Sequence, residues 1–187
     1  MAVNQYHALA RNGKLAGLPL TKTDILATDR FGGTVLVYAA AHGFLNQVDS
    51  SLVTKETLLA RNTAVNGMSA LYAAAMNGHL DQIPEDLLTI ENLTSKDNNG
   101  LTPLHVAARY GFLGQVPVDR LTKEAMLVQA SNPAGLTPLA AAYYANKLTE
   151  VPFEALELCK KETLGATLKT VGELASAAFS KKSPEVE

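Results

Sequence analysis

Thr102-Pro103-Leu104-His105-Val106-Ala107-Ala108-Arg109-Tyr110-Gly111-Phe112-Leu113 decides how this chain folds, because versions of it recur along most of the sequence. Aligned on the glycine, the copies cover residues 4–15, 34–45, 69–80, 102–113 and 137–148. Gly13, Gly43, Gly78 and Gly111 hold one position, and Asn146 stands in for the fifth. A block returning every 30 to 35 residues predicts a stack of similar supersecondary units, a solenoid whose function lies on a surface. From Thr34, Ser69 and Thr102 to the following glycine the distance is always nine residues. Length varies only between blocks, as expected of rigid elements joined by surface loops.

The block reads as a short helix. Thr34, Ser69, Thr102 and Thr137 open it, with hydroxyls placed to cap the first free amides. Pro103 and Pro138 follow, where a missing amide costs nothing. Alanine pairs then let neighbouring helices approach, and glycine ends the helix in a left-handed conformation. Leu15, Leu45, Leu80, Leu113 and Leu148 restart the apolar face two residues later. One unit is too small to bury that face alone, so stacking supplies the core.

The run Asp97-Asn98-Asn99-Gly100-Leu101-Thr102-Pro103-Leu104-His105, continued to Gly111-Phe112-Leu113, resembles an ankyrin repeat. Asp29-Arg30-Phe31-Gly32-Gly33-Thr34 repeats its turn, and the resemblance covers roughly residues 2–152. It implies an all-α solenoid of helix–turn–helix units with turn or hairpin loops, in a single domain over 1–180. Units are expected near 2–31, 32–66, 67–99, 100–134 and 135–163, followed by a helical cap over 164–180 and a disordered tail over 181–187. In this family the histidine at the position of His105, and less firmly His7, ties neighbouring loops.

One departure from the family pattern stands out. Where a long second helix is expected, the chain has Gln82-Ile83-Pro84 and Gln115-Val116-Pro117, with Thr89 and Thr122 a few residues on. Proline in a helix interior loses a hydrogen bond and clashes with the previous turn. The second element is therefore predicted to break into two short helical pieces, each proline opening the first and each threonine capping the next. An interrupted second helix of this kind resembles bacterial ankyrin-like proteins.

Composition narrows the classes. The 187 residues carry a net charge of −2, with basic residues scattered, which argues against a nucleic-acid footprint. No run of about 18 apolar residues occurs, and no signal segment opens the chain, so no membrane role is expected. The single Cys159 excludes an internal disulfide framework, and a cytoplasmic location is expected. His7, His42, His79 and His105 find no convergent acidic set, so neither a metal nor any other cofactor is expected. Nucleophile motifs and phosphate-cradling loops are absent, so the protein is expected not to be an enzyme.

Partner binding is the expected role, with another protein on the concave face. The resemblance assigns it to turn tips and exposed first-helix positions: Arg30, Phe31 and His42; Met68 and Met76; Asn98, Asn99, Leu101, Arg109 and Tyr110; Leu136 and Tyr144. Met68, Leu101 and Leu136 serve equally well as covers for the hairpin backbone. Arg109–Tyr110 and Arg30–Phe31 read better as contact anchors. Tyr143 replaces a small alanine, so the fifth unit is expected to pack differently or tilt away. A monomer is expected; the alternative is self-assembly through the turn tips or the apolar stripe Leu164, Leu168, Val171, Ala175 and Ala178.

Overall fold

A computed structural model describes residues 3–62, 67–131 and 135–160; the cap and tail expected beyond residue 163 lie outside them. Five first helices stack in order: α1 (Val3–Arg11), α3 (Val35–Ala41), α5 (Ala70–Asn77), α7 (Pro103–Tyr110) and α9 (Pro138–Tyr144). Each packs against the next. The starts of α3, α5, α7 and α9 are capped as the sequence predicts. The amides of Val37, Tyr72, His105 and Ala140 donate to the hydroxyls of Thr34, Ser69, Thr102 and Thr137 at 3.1, 3.2, 3.4 and 3.1 Å. Gly78 ends α5 with φ 77°. Asn146 after α9 is the one non-glycine with positive φ, at 57°, among the described residues, and asparagine tolerates that region best of the L-residues.

The second elements are broken, as the prolines require. In the third unit Leu80–Gln82 and Glu85–Leu87 form single 3-10 turns before α6 (Ile90–Leu93). The fourth unit repeats this with Leu113–Gln115, Val118–Arg120 and α8 (Lys123–Met126). Pro84 and Pro117 sit one position earlier than expected, preceding the turn rather than opening it. Unit two ends in α4 (Lys55–Leu59), and unit one keeps only α2 (Lys22–Leu26). Thr21, Thr54, Thr89 and Thr122 cap α2, α4, α6 and α8. Unit five is the exception: Leu148–Glu150 leads straight into α10 (Phe153–Lys160), a two-turn helix.

The loops between units are tight turns rather than strands. Asp97 N–H donates to the Leu101 carbonyl at 2.7 Å, and Asp29, Asn62 and Ala130 close the other turns in the same way. Among the described residues the sole β-bridge joins Thr28 to Thr34. Leu36, Leu71, Leu104 and Leu139, at one position of successive units, line a continuous core together with Leu45, Leu80, Leu113 and Leu148. Of the two outcomes expected at the fifth unit, it packs differently and does not tilt away. α9 packs closely on α7, because the Tyr143 ring rests half-buried on the core edge and meets Tyr144 edge-on at 5.3 Å.

Candidate partner-binding face

Two kinds of tie hold this face in register. His105 is buried; its Nδ1 accepts from the Thr102 amide at 3.2 Å, so Nε2 carries the proton and donates to the Leu136 carbonyl of the next turn at 2.9 Å. Burial lowers its pKa. His7 bonds through Nε2 to the Ala27 carbonyl at 2.9 Å. His105 therefore bridges to the next unit, as the resemblance implies, whereas the His7 bond to Ala27 closes onto the end of its own unit.

The second tie is a glutamine clamp that the sequence reading passed over. Gln82 accepts the Leu45 amide at 3.0 Å and donates to the Gly43 carbonyl at 2.7 Å. Gln115 does the same one unit on, at 3.0 Å to Leu80 and 2.8 Å to Gly78. Gln47 accepts the Leu15 amide at 3.0 Å. The signal was available as glutamine at one offset from Gly43, Gly78 and Gly111, but its partners lie in the preceding unit and no local spacing reveals them. Beside the clamp, the residue after each glycine covers the glycine of the unit before. A Cβ on Gly78 would stand 2.8 Å from the Phe112 ring, and one on Gly43 2.8 Å from His79. His79 is therefore half-buried packing.

At the second unit, Arg30 lies over the Phe31 ring at 4.6 Å, and Phe31 is 52% exposed. Behind them Asp29 organises the turn. Its carboxylate accepts from the Phe31 and Gly33 amides, the Tyr38 hydroxyl and Arg11 at 2.9 to 3.2 Å. Burial alone would raise the pKa of Asp29, but the Tyr38 hydroxyl and the two amides outweigh it and hold it low. Arg11 also stacks over Tyr38 at 3.9 Å. His42 is exposed at the end of α3.

Four candidate residues come together at the other end. Arg109, Tyr110, Leu136 and Tyr144, with Ala141 and Ala145, line one cleft of about 380 Å³ between α7 and α9. Tyr110 is 45% and Tyr144 71% exposed, so two exposed aromatic rings stand at its rim, Tyr144 edge-on against Tyr143, while Leu136 rests on the core. A second cleft of about 210 Å³ lies one unit back, lined by Arg61, Lys96, Asp97 and Tyr72 among others. Burial, then the charges of Asp97 and Tyr110, pushes the Tyr72 phenol up to about 12.

The remaining candidates divide by packing. Met68 and Met76 are half-buried and rest on the core, which favours the covering role for Met68. Asn98 is exposed but its carbonyl oxygen accepts from Arg61 at 3.2 Å. Asn99 and Leu101 are half-buried, their amides held by the Asp97 carboxylate at 2.9 and 2.8 Å. Among the described residues no three His, Cys, Asp or Glu converge as a metal site needs, and no helix is long and apolar enough to cross a membrane. Compared with known families, residues 99–118 match the ankyrin repeat model, repeats of a kind that generally mediate protein–protein contacts. No curated protein matches the chain.

Proposed function

We propose that this chain, whose residues 99–118 match the ankyrin repeat model, is a non-catalytic ankyrin-repeat interaction module that binds another protein on its concave face. The supporting observation is the convergence of Arg109, Tyr110, Leu136 and Tyr144 on the cleft between α7 and α9. Aromatic side chains and arginine carry most of the energy at protein interfaces, above all where a pocket lets them be desolvated. The two rings sit at the ends of neighbouring helices, α7 and α9, and tyrosine has few side-chain torsions, so little conformational entropy is lost on contact. Arg30 and Phe31 form a second anchor at the far end. The single thiol, on buried Cys159, suits a reducing cytoplasm.

The test is a binder selected from a displayed library of random 12-residue peptides, titrated against the native chain and against the Arg109→Ala/Tyr110→Ala double variant. Both side chains are exposed, so the variant is expected to melt within about 1 kcal/mol of the native chain. Loss of binding at unchanged stability supports the reading, and equal binding by both proteins contradicts it.

Self-assembly has one supporting observation. Val118 and Phe153, at the same position of successive units, are 48% and 52% exposed on the opposite side. A dimer in sedimentation that Phe153→Asp dissolves would favour that reading.

A further inference from the structure

The charges of the chain are segregated, and this bears on the chemistry of the partner. In the turns and first helices Arg11, Arg30, Arg61, Lys96 and Arg109 are all exposed. Only two carboxylates share those elements. Asp29 is half-buried, bound to Arg11 and to the amides of its own turn. Asp97 is half-buried too, and one oxygen is committed to the Asn99 and Leu101 amides. Every other carboxylate among the described residues lies on the second elements and their connections. There Glu56 and Glu91 pair with Lys22 and Lys55 across units. Arg30, Arg61, Lys96 and Arg109 make no ion pair with any described carboxylate. A chain with net charge −2 thus turns a cationic side to its clefts.

Resting on the concave-face reading above, we propose that the face takes an acidic, extended segment of a partner protein. Carboxylates of that segment meet Lys96 and Arg109, with the charge of Arg61 beside them, its fork already holding the Asn98 side chain and the Lys96 carbonyl, and one aromatic or aliphatic side chain seats between Tyr110 and Tyr144. The two clefts give the segment its length. Stacked helices lie about 8–10 Å apart, so the path from α5 past α7 to α9 is about 16–20 Å, the reach of five or six extended residues. Arginine suits this role because its planar fork meets a carboxylate through two parallel hydrogen bonds. Tyr72, in the lining of the second cleft, offers a hydroxyl donor to the same segment. A nucleic-acid strand fits less well, because five dispersed cations and an acidic opposite side give no continuous phosphate track.

The peptide selection tests this with two added arms. The tightest peptide is resynthesised with each Asp and Glu replaced by Asn and Gln, and the protein is made as Lys96→Glu/Arg109→Glu, its fold checked by thermal melting. The expected peptides carry at least two carboxylates around one large apolar residue. Either change is expected to weaken binding at least tenfold, and raising salt from 0.05 to about 0.3 M is expected to weaken the native pair as the Debye length shortens. Peptides that bind the Arg109→Ala/Tyr110→Ala variant unchanged would overturn the concave-face reading itself. Neutral or basic peptides lost on that variant would overturn only the acidic assignment. Displacement of the peptide by a 20-nucleotide oligothymidine at equal concentration would overturn it in favour of nucleic acid. A library yielding no peptide above background would overturn both readings.

Discussion

Between the third and fourth units the Gln115 side chain grips the Leu80 amide and the Gly78 carbonyl, and the Phe112 ring closes over Gly78. Between the fourth and fifth, Glu150 and Lys147 occupy the corresponding positions beside Gly111, and an ionised carboxylate has no N–H for the Gly111 carbonyl. The small residues differ in the same direction. Ala75 and Ala108 are buried in the third and fourth units, where the fifth has the half-buried Tyr143 followed by the exposed Tyr144. One backbone plan therefore serves two ends: the third-to-fourth joint is closed by satisfied polar groups and fitted rings, and the fourth-to-fifth joint keeps an aromatic cleft open. Position in the stack is not what separates them; Glu150 and Tyr143, three and ten residues before α10, are.

Breaking the closed joint at its core gives the largest expected effect. Leu104 is fully buried, and Leu104→Ala is expected to cost roughly 2–5 kcal/mol by lost transfer and the cavity left behind, read from denaturant midpoints. Next comes the clamp. Gln115→Leu keeps the bulk but strands a buried amide and a carbonyl, expected to cost about 2 kcal/mol. A smaller effect sets in with acid. Because burial lowers the His105 pKa below 6.5, the unfolded chain binds that proton more readily than the native one. Its contribution is fully present above pH 6.5 and is lost as pH falls through that value towards the native pKa. Melting between pH 7.5 and 5.5 is expected to show this decline, and His105→Asn to flatten it. The smallest change repairs the open joint: Glu150→Gln restores an N–H donor and is expected to stabilise by about 0.5–1 kcal/mol.

The comparison also explains what the sequence disclosed. Everything set by neighbours in the chain was legible. The hydroxyl caps, the left-handed Asn146, the interruption at Pro84 and Pro117, and the threonines that restart each second element follow from residues within one turn of each other. Contacts between units were not. Gln82 and Gln115 stood in plain view next to the prolines, yet their partners lie 37 to 39 and 35 to 37 residues away. Which of the two outcomes would hold at the fifth unit was hidden for the same reason: Tyr143 rests on the core edge, so the helix packs differently instead of tilting away. The candidate face was legible as a set of positions, and stacking decided its membership. It gathered Arg109, Tyr110, Leu136 and Tyr144 on one cleft and turned Met68 and Met76 towards the core.

The central claim is that stability and recognition reside in different joints, and one paired measurement tests it most directly. Gln115→Leu and Tyr144→Ala are each characterised by melting temperature and by affinity for the same selected peptide. The account predicts that Gln115→Leu lowers the melting temperature by several degrees with affinity nearly unchanged. Tyr144→Ala is predicted to weaken binding at least tenfold at an unchanged melting temperature. Two variants whose stability and affinity fall together, or a Tyr144→Ala chain that binds as well as the native one, would contradict it.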